Sequence, residues 1–335
     1  MKQMSICITS YNRPNELKRC LESIDCVKYV DDIEIIVSED RSPHRDQIEK
    51  IVLDYKQKYK CDLIFNSNIS NLGYDMNLGK LISLSNAKYI LFISDDDCFI
   101  ENSLDKTIET VMKNNYSLAF SPFYLNSISE YRRVYKNVEI IKATEVNAKR
   151  YLYCSILFSG LIFERNYIVQ YDSLKFFNVN YFQVYLFLNV IYKHGAGYID
   201  VPLINCIGDG VNGFGLSESS EKNEHLADRK SLYSKLEFHK GLIKTIVMFD
   251  NENGTNLKHA FSKMYSYKTY TDLSYAKSFG FKIFKTYWGK LVGLDLELTL
   301  VVYVYVLILL LFGSKVSNII MFVPKRVFMK IKQYV

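Results

Sequence analysis

The sequence predicts an α/β fold: a mostly parallel sheet with helices on both faces, followed by a helical, apolar C-terminal region. Three observations carry this. Short runs that are apolar at nearly every position alternate with segments whose apolar residues recur at helical spacing. Strands buried on both faces read as such continuous runs, and helices between them make the sheet parallel. Three of the runs end in polar clusters, Thr9 to Arg13, Glu39 to Ser42 and Asp95 to Asp97. In such sheets the ligand crevice lies beyond the carboxyl ends of the strands, so these clusters are expected to meet.

Residues 4–9 (MSICIT) form the first predicted strand, stopped by the loop Ser10-Tyr11-Asn12-Arg13-Pro14. Residues 15–24 place Leu17, Cys20, Leu21 and Ile24 on one helical face. A second strand covers 33–37, a helix 46–59, a third strand 62–65, a helix 74–85 and a fourth strand 89–93 (YILFI), running into the acidic cluster. Beyond it, 103–113 reads as helix and 118–124 as one strand, while 125–150 shows no clear period. Residues 157–163 are apolar, 181–192 form a helix apolar nearly all round and therefore buried, and 198–204 read as one strand. Residues 208–225 are rich in Gly, Ser and Asn and read as a loop. Residues 230–275 read as one amphipathic helical stretch.

The 335 residues are 49% hydrophobic and 23% charged, which excludes a disordered chain, and 15 Gly with 5 Pro exclude collagen-like composition. The net charge of +6 is concentrated at one end. Lys315, Lys325, Arg326, Lys330 and Lys332 lie in the last 21 residues with no acid among them, leaving 37 basic and 36 acidic groups in the rest. A nearly neutral body gives no nucleic-acid footprint. Just before this basic end lies an uncharged 15-residue run, 298–312 (LTLVVYVYVLILLLF), about 22 Å long as a helix, against a hydrocarbon core of about 30 Å. A second apolar piece, 316–323, follows the break at Gly313-Ser314-Lys315. The expected anchor therefore lies in the membrane surface rather than crossing it, with its basic residues on lipid phosphates; a spanning helix and a buried core helix are the alternatives. Seven cysteines without a CxxC pair argue against a disulfide framework or a zinc knuckle and fit a reducing compartment. The expected organisation is a domain over 1–225, divided at about residue 100, a helical extension over 226–295 and the membrane-associating tail over 296–335.

Three adjacent carboxylates at a strand end repel one another unless a cation or hydrogen-bond donors compensate. Hard oxygen ligands of this kind select Mg²⁺ or Mn²⁺. Asp40 can accept from a base N–H, and Tyr11 can stack on a base. No GxGxxG follows the first strand and no GxxxxGK[ST] occurs, which disfavours dinucleotide and P-loop chemistry.

With these pieces assembled, the first 100 residues resemble a family 2 glycosyltransferase of the GT-A fold. The resemblance rests on ICITSYNRPNELKRCLESI, DIEIIVSEDRS and NSNISNLGYDMNLGKLISLSNAKYILFISDDDCF, which carry, in order, a strand with T-x-Y-N-R, a strand ending in acids and Ser, an N-x-G-x(3)-N-x-G stretch and a D-x-D cluster. It implies that Thr9 and Tyr11 line the nucleotide base, that Arg13 helps bind the nucleotide sugar, that Asp40 takes the base edge, and that Asn71, Gly73 and Asn77 border the donor. Asp95 and Asp96 would bind the nucleotide sugar, with the metal on Asp95 and Asp97. Glu39, Met76 and Ser94 depart from the usual residues, so the ligand among the three aspartates stays open. Further on, SGLIFERN (159–166) and YIDVPL (198–203) resemble later family segments. The usual E-D pair, whose Asp is the base, is absent: the count from Gly195 lands on Tyr181-Phe182-Gln183-Val184. This variant resembles an abequosyltransferase-like subset that builds O-antigen or capsular polysaccharide. The resemblance implies inverting sugar transfer to a lipid-linked saccharide at the cytoplasmic face of a bacterial inner membrane. Asp209 is the first candidate base, with Glu164, Asp172 and Asp200 behind it. A nucleotide-sugar-binding scaffold without catalysis and a nucleotidyltransferase are the rival readings.

Overall fold

The structure, a computed structural model, describes residues 2–24, 28–59, 62–177, 179–210 and 232–333. It forms two compact units, Met1–Ala227 and Asp228–Val335.

The first unit opens with β1 (Met4–Ser10), buried along nearly its whole length. α1 (Pro14–Glu22) follows; Pro14 in its first turn suits a position without an N–H partner, and Leu17, Cys20 and Leu21 turn inward. β2 (Ile33–Glu39), α2 (Arg45–Tyr59), β3 (Leu63–Ser67), α3 (Tyr74–Leu84) and β4 (Tyr89–Ser94) complete the expected alternation. β3, β2, β1 and β4 lie side by side and parallel, with Thr9 level with Ser38 on one side and Ser94 on the other. The three polar clusters therefore leave adjacent strands at the same edge of the sheet.

The later elements are shorter: β5 (Cys98–Phe99), α4 (Ser103–Asn114), β6 (Leu118–Phe120), β7 (Phe123–Leu125), β8 (Glu130–Arg132), β9 (Ile140–Ile141), α5 (Glu145–Tyr151), β10 (Leu161–Glu164), α6 (Arg165–Ile168), α7 (Phe182–His194), β11 (Ala196–Tyr198) and β12 (Ile204–Cys206). β10 joins the main sheet antiparallel to β4, and β6, β11 and β9 extend it in that order, giving eight strands. β5, β12, β7 and β8 form a second, four-stranded sheet. The single strands expected over 118–124 and 198–204 are each divided between the two sheets. Pro122, which has no N–H for a ladder, sits at the first division, and Pro202 lies between β11 and β12. The aperiodic stretch 125–150 holds two very short strands and α5, too brief to show a period.

α7 is buried from Phe182 to Ile191, as its apolar circumference predicts. Gly195 ends it at φ 79°, where a Cβ would meet the carbonyl oxygen of Ile141 at 2.4 Å.

The second unit contains α8 (Ser234–Asn253), α9 (Leu257–Ser278), α10 (Phe281–Val292) and α11 (Leu300–Gln333). The stretch expected as one helix over 230–275 is broken at Gly254, φ 65°, after which Asp250 caps α9 by accepting from the Leu257 and Lys258 N–H groups. α11 packs on α9: Asn318 accepts from Tyr270 and Ser274, and the rings of Tyr270 and Tyr305 meet edge to face at 5.2 Å. Its residues Leu300–Met321 have a mean hydropathy of 2.2 and the length to cross a bilayer. Gly313, φ 67° and ψ 173°, interrupts the helix at the break read from the sequence. Leu307, Leu310, Leu311, Phe312, Ile319 and Ile320 are exposed. Most of the Gly/Ser/Asn-rich loop, 211–225, and the side chains of Lys325, Arg326, Lys330 and Lys332 lie outside the described residues, as do Cys26 and Cys61.

Candidate active site

The site is built where β1, β2 and β4 end. Tyr11 follows β1, and its backbone N–H donates to Asp95 Oδ2 at 3.2 Å. The Arg13 guanidinium donates to Asp95 Oδ1 at 2.9 Å and reaches Asp96 Oδ2 at 3.3 Å. Burial opposes the Arg13 charge, but Asp95 and Asp96 outweigh it and raise its pKa. Burial lifts Asp95 to about 7, with Arg13 opposing and Asp96 adding to the shift. Arg19 on α1 donates to the Asp96 carbonyl at 3.3 Å and grips Asp209 with both terminal nitrogens, at 2.9 and 2.7 Å. The hydrogen bonds from Arg19 draw the Asp209 pKa down.

Asp97 points toward the second half of the first unit. Its Oδ2 accepts from the Ser159 hydroxyl at 2.6 Å, and the same hydroxyl accepts from the Ser94 N–H at 3.0 Å. Its Oδ1 is buried without a hydrogen-bond partner among the described residues. Burial, then the Asp96 charge, raises Asp97 to about 6, against the Ser159 hydroxyl, the Cys206 thiol and the Ile207 N–H, which approach the same carboxylate. Ser159 precedes Gly160, whose φ of 81° and tight approach to Ile204 leave no room for a Cβ. Arg133 donates to the carbonyls of Leu157 and of Ser159, the latter at 3.3 Å, and its guanidinium lies over the Phe123 ring at 5.0 Å. Burial pulls its pKa down to about 10, still charged at neutral pH.

The acidic cluster gives a hard-oxygen donor set of the kind that takes a divalent cation, and the unpartnered Oδ1 of Asp97 is the carboxylate oxygen that fits one. Asp95 fits less well as a ligand, since Arg13 and Tyr11 occupy both its oxygens. Among the described residues no group of three His, Cys, Asp or Glu side chains has the arrangement of a metal site.

Asp40 lies at the same edge, its N–H donating to the Ser10 carbonyl at 3.0 Å. Its carboxylate already accepts from Asn68 at 2.9 Å, from the Leu72 N–H at 2.8 Å and from the Gly73 N–H at 2.9 Å. Asn71 donates to the Asp40 carbonyl, and Asn77 accepts from Ser38 and Asn68. These residues bind one another first: they hold the β3–α3 loop against the end of β2. Glu39 is likewise taken up by the chain, holding the β2–α2 loop by accepting from the N–H groups of Arg41 and Ser42.

The candidate bases separate. Asp209 stands beside the acidic cluster through Arg19. Glu164 does not: it pairs with Tyr89 at the start of β4, about 20 Å of strand from Asp95. That placement removes Glu164 as a base, because the antiparallel β10 carries its last residue away from the crevice. Asp172 caps a short turn by accepting from the Leu174 N–H, and Asp200 is exposed after β11. Sequence reasoning missed Arg19, Ser159 and Arg133. Ser159 carried a signal, its place just before the strand glycine of SGLIFERN; Arg133 sits in an aperiodic stretch and carried none.

Residues 5–171 match the family described as Glycosyl transferase family 2. The chain belongs to this family. It is 26% identical over 231 residues to abequosyltransferase RfbV of Salmonella typhimurium, covering 62% of this chain and 67% of the relative. It is also 26% identical over 128 residues to an uncharacterized glycosyltransferase of Haemophilus influenzae, covering 38% and 41% of the two chains. Among solved structures, S. aureus TarS 1–349 in complex with UDP-GlcNAc superposes with a TM-score of 0.53 at 14% identity, over 81% of this chain and 80% of that one. Against the longer TarS chain the match spans 48% of its length. The GT-A-type fold expected from the sequence is thus present, and the protein is a glycosyltransferase.

Proposed function

We propose that this glycosyltransferase moves a sugar from a nucleotide-diphosphate donor to a lipid-linked saccharide during assembly of a bacterial surface polysaccharide, with inversion at the anomeric carbon. The observation that carries the reading is the meeting of Tyr11, Arg13, Asp40 and Asp95–Asp97 at the carboxyl ends of three adjacent parallel strands. The names of the Salmonella relative and of the UDP-GlcNAc complex support it.

In this reading Thr9 and Tyr11 border the base, and Arg13 fixes Asp95 and Asp96 in place. Asp97, through Oδ1, would hold a Mg²⁺ or Mn²⁺ ion, which would supply positive charge against the departing diphosphate. Arg133 brings a second positive charge that no carboxylate pairs among the described residues, which suits a phosphate. Asp209 is the candidate base. Arg19 keeps it ionised, ready to accept the proton of an attacking hydroxyl, at some loss of basicity. Asp209→Asn should lower turnover about 100-fold with donor affinity nearly intact; an unchanged rate would move the base to another group. The exposed apolar side chains of α11 and the run of Lys and Arg over 315–332 support docking on the cytoplasmic face of the inner membrane. That would raise the effective concentration of a membrane-held acceptor.

The test is a thermal-shift screen of UDP-, GDP-, CDP- and dTDP-sugars with and without Mn²⁺. A binding donor at about 100 times its Kd adds about 2.7 kcal/mol, and one nucleotide should stand out, more so with Mn²⁺. No shift with any of the four would overturn the reading.

A further inference from the structure

The start of α7 holds polar groups that no described residue satisfies. Asn180 is 6% exposed, and both its side-chain oxygen and nitrogen lack a hydrogen-bond partner among the described residues. Gln183, one turn on and 3% exposed, donates weakly to the Ile156 carbonyl at 3.4 Å, and its Oε1 has no hydrogen-bond partner among the described residues. Leaving such groups dry and unpaired costs about 1–3 kcal/mol each, so their retention needs a ligand or ordered water.

The chemistry of that ligand follows from what is already filled. A helix N-terminus attracts anions, but here Asp75 from α3 occupies it, accepting from the N–H groups of Val179, Asn180 and Phe182 at 3.2, 2.5 and 2.9 Å. What remains is neutral: two amide oxygens that accept and one amide nitrogen that donates. Hydroxyl groups, each donor and acceptor at once, complement that set. Tyr181 adjoins Asn180, and Phe158 and Tyr74 meet edge to face at 5.5 Å on the neighbouring elements, offering apolar surface to the C–H face of a ring. Position fits as well. Gln183 touches Ile156, three residues from Ser159, which donates to Asp97; three residues span at most about 11 Å.

We propose that Asn180 and Gln183 form a subsite for the hydroxyls of a neutral saccharide, next to the acidic cluster. This rests on the nucleotide-sugar reading above and deepens it, placing hydroxyl recognition where the family's E-D pair is absent.

The test uses Asn180→Gly, which keeps the residue's φ of 64° accessible, and Gln183→Met, which keeps the volume, singly and together. Saturation-transfer NMR reads the full-length protein against methyl glycosides of glucose, galactose, mannose and rhamnose, and separately against UDP, GDP, CDP and dTDP. Wild type should contact at least one glycoside. The double variant should lose that signal at least tenfold while the nucleotide signal stays within twofold and the melting temperature does not fall. Displacement of the glycoside by the nucleotide sugar but not by the nucleoside diphosphate assigns the subsite to the donor sugar; displacement by neither assigns it to the acceptor. Nucleotide binding with no glycoside signal, or with a signal equal in wild type and double variant, overturns the proposal and leaves the nucleotide-sugar reading intact. No nucleotide signal at all in wild type overturns that reading itself. A fall in melting temperature together with loss of both signals assigns the amides a purely structural role and also overturns the proposal.

Discussion

The end of β2 and the start of α7 both bury polar side chains beside the crevice, and they treat them in opposite ways. At β2, the Asp40 carboxylate takes three donors from a single loop. At α7, the Asn180 and Gln183 amides leave three atoms unpaired among the described residues. A side chain whose partners are supplied by the chain is committed to folding, whatever ligand its type could bind. A side chain buried without partners is the one held ready for something outside the chain. Asp97 combines both conditions in one carboxylate, with Oδ2 bound to Ser159 and Oδ1 left over.

The largest effect expected from this contrast is at Asp97. Replacing it with Ala should cut transfer by about 10³-fold and abolish metal-dependent nucleotide binding, with the stability cost limited to the lost bond from Ser159, because Oδ1 has no hydrogen-bond partner among the described residues. A variant with full activity would break the contrast at its middle term. Asp40→Ala should do the reverse. It strands the Leu72 N–H and loosens the loop, costing about 1–3 kcal/mol of stability, which denaturant unfolding measures; a stability equal to wild type would show that the loop holds itself.

The expected alternation of strands and helices over residues 4–94 is present almost element for element, because continuous apolar runs and one-sided helices are strong local signals. So is the meeting of the three polar clusters, which follows from parallel strands ending at one edge. What the sequence did not show is which members of those clusters are free. That depends on partners far along the chain: Asn68, Leu72 and Gly73 for Asp40, Ser159 for Asp97, Asp75 for the start of α7. Glu164 reads as eligible for the base for the same reason, since the direction of β10 cannot be read from its four residues. The stretches 118–124 and 198–204 each read as one continuous strand because both pieces are apolar, and only the two-sheet arrangement separates them.

A subtler prediction sharpens the Asp40 side. Burial lifts its folded pKa to about 6 from an ordinary 3.8, against its three donors. A raised carboxylate pKa means that the folded state holds the proton more tightly than the unfolded state. Stability from this group is therefore full at low pH and declines as pH rises from about 4 to about 6. Asp40→Asn removes that titration, so the stability gap between wild type and variant should narrow across this window. A gap that widens would show that the donors, not burial, dominate. Smallest in effect on the isolated protein is the outward apolar face of the second unit. Leu307→Glu with Leu311→Glu should leave nucleotide binding untouched and weaken co-sedimentation with phosphatidylglycerol-containing vesicles, more at high salt; equal sedimentation would place the contact elsewhere.

The account stands most directly on hydrogen–deuterium exchange with and without the nucleotide sugar that gives the greatest thermal shift. Added donor should slow exchange over residues 9–13 and 95–99 together, and over 157–160 opposite them. Slowing confined to other segments, with these three unchanged, would contradict it.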